Sequence, residues 1–306
     1  MRVLQNSRNI RTFGELAGFL WPSWASPVSR ELASFRESMP KKRNAKAELA
    51  PIPPHEWAPR TYQQAALDAF HAGTKRLLLV WHRRAGKDRF GLELIREEAD
   101  KNVGSYWHLY PLQVQAKKAI WNGVDPQSER RLLELVFPKE MRQDTDERDL
   151  FIRFRNNSTY QLCGSDNYDR LVGSNVRGVL FSEWALCDPR AWPYIMPILL
   201  ENKGWAAFIT TLRGRNHAYQ MAQKLAKNPD WYVDIRTIRD TARNDGTPVV
   251  SMLDVQAERD SLVAVHKSAA RADAIIREEF FCDPMSSAPG SVYGRQVAEM
   301  QAAGRA

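Results

Sequence analysis

The eight residues Trp81-His82-Arg83-Arg84-Ala85-Gly86-Lys87-Asp88 stand between an apolar run at 77–81 and an amphipathic stretch at 87–98. The run reads as a strand buried on both faces, and the stretch as a helix that opens on Gly86-Lys87. At such a junction, backbone N–H groups and the positive end of the helix hold phosphates. Gly86 lets the backbone approach an anion with no Cβ in the way, and Lys87 neutralises β- and γ-phosphate charge. The pattern G-x-x-x-x-G-K-[ST] is met only in part: its first glycine position falls on Trp81 and its hydroxyl position on Asp88. Arg83 and Arg84 inside the loop favour phosphate contact over ordinary surface charge.

A phosphate loop of this kind constrains the rest of the chain. From Arg60 onward short apolar runs alternate with amphipathic ones. The runs at 76–81, 105–110, 151–154, 159–163, 178–182, 205–211 and 231–235 predict strands. The stretches at 62–70, 87–99, 113–121, 217–227 and 253–263 predict helices. Such alternation predicts an α/β fold, a mostly parallel sheet sandwiched by helices, with a small helical lid toward the C-terminus. The expected domains are an N-terminal extension over 1–50, a nucleotide-binding core over 51–230, a lid over 231–285 and the start of a linker over 286–306.

Phosphoryl chemistry on such a loop needs a second strand that ends in acid, to serve the metal and orient water. Val179-Leu180-Phe181-Ser182-Glu183 is the best candidate, with Glu183 as general base. The residue before the acid, where a metal-side aspartate is usual, is Ser182. The two departures suggest an exchange in which Asp88 and Ser182 both face Mg2+, each a hard oxygen ligand. The bland alternative is a degenerate site that binds nucleotide without hydrolysing it.

With these two sites placed, the chain resembles the ATPase domain of the large subunit of tailed-phage terminases, a P-loop NTPase of the RecA/ASCE-like kind. Arg60-Thr61-Tyr62-Gln63 resembles the adenine-recognition element, where Gln63 would read the base and Tyr62 would pack against it. Tyr110-Pro111-Leu112-Gln113 looks like the strand-to-helix element after the second strand. Ile209-Thr210-Thr211-Leu212-Arg213-Gly214 is similar to the coupling motif, with Thr210 and Thr211 as rival γ-phosphate sensors and Leu212 where a proline is common. Arg277-Glu278-Glu279-Phe280-Phe281-Cys282-Asp283-Pro284 resembles the element closing the domain. The resemblance covers about residues 56–295. It implies ATP and Mg2+ at Tyr62, Gln63, Arg83, Arg84, Ala85, Gly86, Lys87 and Asp88, and an arginine finger, with Arg170 and Arg177 as candidates beside Arg83 and Arg84. It also implies double-stranded DNA, a portal protein and a terminase small subunit as partners, a ring homo-oligomer, and work in the host bacterial cytoplasm at the procapsid portal. Pro289-Gly290-Ser291-Val292-Tyr293-Gly294 resembles the approach to the family's nuclease domain. No acidic cluster follows it, so the chain is expected not to cut DNA.

Charge adds little to this. The formal net charge is +8. Residues 1–60 hold ten Lys/Arg against five Asp/Glu, so +5 of it sits there, either as a DNA-binding arm or as a solvated tail. Three separated cysteines, Cys163, Cys187 and Cys282, argue against a disulfide framework. No run reaches the length of a membrane span. A superfamily 2 helicase shares the glutamine element, the loop and the acidic strand, but needs a second RecA-like domain that the chain after Trp231 is too short to supply. A metabolic kinase lacks any acceptor-site signature.

Overall fold

The computed structural model of the chain describes residues 51–171 and 175–284. The extension at 1–50, the linker at 286–306, the segment around Pro289–Gly294 and the Arg170 side chain lie outside the described residues. Ten strands are present among them: β1 (Arg76–Trp81), β2 (Ser105–Tyr110), β3 (Val124–Asp125), β4 (Arg130–Arg131), β5 (Arg142–Asp146), β6 (Phe151–Phe154), β7 (Thr159–Gly164), β8 (Val176–Ser182), β9 (Trp205–Thr210) and β10 (Trp231–Arg236). Eight of them form one sheet in the order β10-β1-β9-β8-β2-β7-β6-β5, and β3-β4 is a separate hairpin. The pairs from β10 to β7 are parallel. Only β6 and β5, at one edge, add antiparallel pairs.

Burial explains why the run at 77–81 is continuously apolar. Leu77, Leu79 and Trp81 enter the core on one face of the sheet, while Leu78 and Val80 enter the core on the other. Helices α1 (Thr61–His71) and α2 (Lys87–Lys101) cover the first face. A short α3 (Gln113–Ala116), continued by a π turn over Lys117–Trp121, and α4 (Leu132–Val136) extend that cover. The second face is covered by α5 (Ala191–Glu201) and α6 (His217–Leu225). Helix α2 comes close because it presents Gly91 to the sheet. A Cβ there would stand 2.5 and 2.7 Å from the two methyl carbons of Leu180.

A helix pair, α7 (Met252–His266) and α8 (Ala269–Phe281), ends the described chain. Ile238, Val255 and Ile276 give it a small apolar cluster of its own. The piece expected as a lid at 231–285 therefore begins with a sheet strand: β10 pairs along its whole length with β1, because its register places Val233 against Leu78 in the core. The helical part of that piece starts only at Met252. No helix among the described residues is long and apolar enough to cross a membrane.

The strand order positions the site. β9 lies between β1 and β8, so the loops after all three emerge side by side at the carboxyl edge of the parallel strands, where α/β sheets bind ligands.

Candidate active site

The loop after β1 turns twice through left-handed backbone, at Arg84 (φ 72°) and Gly86 (φ 74°). The second turn is the natural place for glycine, and it delivers the chain into α2 with Lys87 as the first helical residue. Holding the loop open falls to α1. The Tyr62 hydroxyl donates to the Ala85 carbonyl at 2.5 Å, and Gln63 Nε2 donates to the same oxygen at 3.2 Å. Gln63 Oε1 accepts from the Arg60 N–H at 3.0 Å. Both ends of the Gln63 amide are thus engaged by backbone, and Tyr62 stacks edge-on against Trp81 inside the core. By resemblance Gln63 reads a base and Tyr62 packs on it; in the structure both side chains prop the loop at Ala85, and Gln63 also lines a cavity beside Gly86.

His82 fastens the other side. Burial pushes its pKa down to about 4, so the ring is neutral at pH 7. Its Nδ1–H donates to the Arg83 carbonyl at 2.6 Å, and Nε2 accepts from the Thr241 hydroxyl at 2.7 Å. Arg83 is not a free cation. Its N–H donates to the Glu279 carbonyl at 2.9 Å and its guanidinium meets the Glu279 carboxylate at 3.0 Å. Arg213, from the loop after β9, meets Glu278 and Glu279 at 2.7 and 2.5 Å. Burial alone would raise the Glu279 carboxyl, but Arg213 and Arg83 outweigh it and hold it low.

Lys87, Asp88, Glu183, Thr211, Arg84 and Tyr110 line one cavity of about 860 Å³. The Lys87 ammonium, 7% exposed, lies 3.6 Å from Glu183 Oε1 and donates to Thr211 Oγ1 at 3.2 Å. Glu183 sits at the tip of β8 in the left-handed region (φ 53°), a sparsely populated conformation that turns the carboxylate out of the strand toward Lys87. The two threonines part company. Thr211 faces the cavity and Lys87, whereas Thr210 is fully buried, accepts from the Ala185 N–H at 3.0 Å and braces the turn after Glu183.

Asp88 is where the departure from a hydroxyl-ended loop places a carboxylate on the cavity, and Tyr110 donates to its Oδ1 at 2.7 Å. Ser182 does not join it there. That residue is fully buried, and its hydroxyl is bonded to His108 Nε2 at 2.7 Å. The expected pairing of Asp88 and Ser182 on one ion is corrected accordingly: Ser182 is engaged by His108 inside the sheet, and only Asp88 borders the cavity. Arg177 lies near the start of β8, about 20 Å of extended strand from Glu183 of the same chain. Tyr110, His108 and Arg213 escaped the sequence reading, because only the β2–β8 pairing and the fold-back of α8 give them their partners.

For Mg2+ the donor set is suitable. Among the described residues no group of three or more His, Cys, Asp or Glu could hold a metal by itself. One carboxylate beside a phosphate cradle is the arrangement Mg2+ takes when it arrives with nucleotide, keeping several waters. A second cavity of about 740 Å³ adjoins the first across Gly86. Its walls include Trp57, Arg60, Arg89, Arg243 and Asn244.

No protein-family model matches the chain, and no curated protein matches its sequence. Solved structures do resemble it. The ATPase domain of the Thermus phage P74-26 large terminase superposes with a TM-score of 0.52 at 20% identity, over 75% of this chain and 95% of that one. The large terminase of a second thermophilic bacteriophage gives 0.53 at 14% identity, over 66% of this chain and 50% of that one. That same second terminase in complex with ADP gives 0.51 at 12% identity, over 74% and 53%. This chain thus spans about half the length of the second phage's protein. At such identities the likeness shows the fold alone, a mostly parallel, helix-covered sheet shared with these terminase ATPase domains.

Proposed function

We propose that this chain is the ATP-hydrolysing motor domain of a viral DNA-packaging terminase, acting on double-stranded DNA with a portal protein, a terminase small subunit and further copies of itself. The observation that carries the ATPase reading is the contact of Lys87 with both Glu183 and Thr211 on the cavity behind Gly86. The fold shared with the phage terminase ATPase domains supports the choice of motor.

The chemistry follows from the positions. The loop N–H groups and the start of α2 take the β-phosphate, and the Lys87 ammonium moves from Glu183 to the β- and γ-oxygens. Glu183, released from that ion pair, orients a water and accepts its proton. The water oxygen bonds to the γ-phosphorus as the bond to the β–γ bridging oxygen breaks, which leaves ADP and phosphate. Mg2+ bound with the nucleotide supplies charge neutralisation at the phosphate oxygens, and Asp88 is the residue that would hold it. Thr211 is placed to sense the γ-phosphate through Lys87, and Thr210 to pass the change to the 184–186 turn. Among the arginines, Arg84 is exposed on the cavity rim, and it stands with Arg170 and Arg177 as a candidate for action on a neighbouring subunit.

An ATPase assay with Mg2+ tests the reading. Wild type is expected to turn over ATP, and Lys87→Ala and Glu183→Ala to lose at least about a hundredfold in kcat. No turnover by the wild type, with nucleotide still bound, would favour a degenerate binding protein instead. ATP-driven unwinding of a tailed duplex by the single chain would favour the helicase reading.

A further inference from the structure

The turn that carries Glu183 is tied to the segment between β9 and α6. Glu183 stands in the left-handed region (φ 53°, ψ 45°), a conformation that a residue with a side chain keeps only where its surroundings over-determine it. Two backbone bonds close the turn itself: the Leu186 N–H donates to the Glu183 carbonyl at 2.8 Å, and the Cys187 N–H to the Trp184 carbonyl at 3.1 Å. Side chains from the facing segment add to these. Thr210 Oγ1 accepts from the Ala185 N–H at 3.0 Å. Asn216 Nδ2 donates to the Ala185 carbonyl at 2.8 Å, and His217 Nε2 meets the Trp184 carbonyl at 2.7 Å. A carbonyl only accepts, so His217 Nε2 carries a hydrogen and donates it. The imidazole also makes a T-shaped contact with the buried Trp184 indole, the ring centroids 4.9 Å apart. Asn216 works at both ends of its amide: Oδ1 accepts from the Ala218 and Tyr219 N–H groups at 3.1 and 3.4 Å and caps α6.

We propose that Asn216 and His217 are positioning residues for Glu183, holding the two peptide groups that follow it so that its carboxylate stays turned toward Lys87 and the cavity. The inference rests on the reading of Glu183 as the base that orients the attacking water. The side chain of Glu183 is aimed by its own backbone, and relaxation toward extended backbone would aim it elsewhere. A misplacement of about 1 Å in such a group costs about a hundredfold in rate. Both residues act through the Trp184 and Ala185 carbonyls. Because Asn216 also caps α6, that helix and the carboxylate are held in one register.

The experiment reads steady-state ATP hydrolysis with Mg2+ and backbone hydrogen exchange on the full chain. His217→Phe keeps a ring against Trp184 and removes the donor. Asn216→Asp keeps the cap of α6 and sets an acceptor against the Ala185 carbonyl in place of the donor. In each, kcat is expected to fall about 10- to 100-fold while KM for ATP stays within about twofold. His217→Gln, whose amide nitrogen reaches the place of Nε2, is expected to recover most of that loss. In the Glu183→Ala background, His217→Phe is expected to change the residual rate by less than about twofold, since a residue acting through Glu183 has nothing left to act on. Without nucleotide, amide exchange over 184–187 is expected to quicken about tenfold in both variants while β1 and β2 keep wild-type protection. Asn216→Asp decides the matter if His217→Phe does not fold. Wild-type kcat in the folded variants overturns the inference, and so does an equal loss with and without the Glu183 carboxylate. Failure of the wild type to hydrolyse ATP overturns the base reading of Glu183 and the inference with it, and is seen before any variant is made.

Discussion

Gln63 carries two readings, a base reader by resemblance and a prop of the loop by its contacts. The sequence places a glutamine just ahead of a phosphate loop, and the resemblance assigns it to a base. In the fold its Oε1 accepts from Arg60 and its Nε2 donates to Ala85, leaving the amide committed at both ends. A propping role and a base-reading role predict different losses in Gln63→Ala. If the side chain props the loop, two backbone groups lose a partner, stability falls by about 1–2 kcal/mol, and affinities for ATP and GTP drop by the same factor. A loss confined to ATP, measured by competition binding of the two nucleotides, would restore the base-reading role. For Asp88 and Ser182 the anomaly was visible in the sequence, but not their partners, since Tyr110 meets Asp88 and His108 meets Ser182 only once β2 has paired with β8.

At the scale of elements, the parallel strands were legible because burial on both faces demands unbroken apolar runs, as in Leu77–Trp81 and Trp205–Thr210. What escaped was β5, whose sequence Arg-Gln-Asp-Thr-Asp lies exposed at the sheet edge and has no apolar side to betray it. Helix α5 escaped for the opposite reason: Pro193 and Pro197 punctuate a run that its burial against β8 and β9 nonetheless makes helical. The contact between α2 and the sheet gives an element-scale prediction at Gly91. Alanine would raise helix propensity by about 1 kcal/mol. Against that, its Cβ would meet both Leu180 methyls, and one rotamer change cannot clear two branches at once. Overpacking a closed core costs about 1–3 kcal/mol, so the clash outweighs the propensity. Gly91→Ala is therefore expected to lose about 1 kcal/mol in urea unfolding. An unchanged or raised midpoint would mean that α2 shifts freely on the sheet.

The whole molecule is tied together by polar contacts that no local pattern announces. Glu279 on α8 joins Arg83 of the loop after β1 to Arg213 beyond β9, its carbonyl accepting from the Arg83 N–H and its carboxylate from both guanidinium groups, so the C-terminal helix pair is fastened to that loop. Two neutral histidines do similar work: His82 joins the loop to Thr241, and His108 joins β2 to β7 and β8. Both have pKa values pushed by burial from the usual 6.5 to about 4, His82 with the added repulsion of Lys87 and Arg60 and against the Arg83 carbonyl and the pull of Asp240, His108 against the pull of Asp88. In the unfolded chain these rings take up protons near pH 6.5, while in the folded chain they do so only near 4. Between those values the unfolded state binds more protons, so lowering the pH favours it. The stabilisation is fully present above about pH 6.5, is lost as pH falls toward 4, and changes no further below that. Each ring contributes a slope of up to roughly 1.4 kcal/mol per pH unit in the window. The exposed aspartates whose carboxyls are held low, such as Asp146 and Asp240, titrate below the window and leave its upper part to the histidines. Urea midpoints are therefore expected to fall steadily from about pH 6.5 to 4.5 and to stay level from about 6.5 to 8. A flat profile across the acidic window would show that these rings take up protons in the folded chain as readily as in the unfolded one.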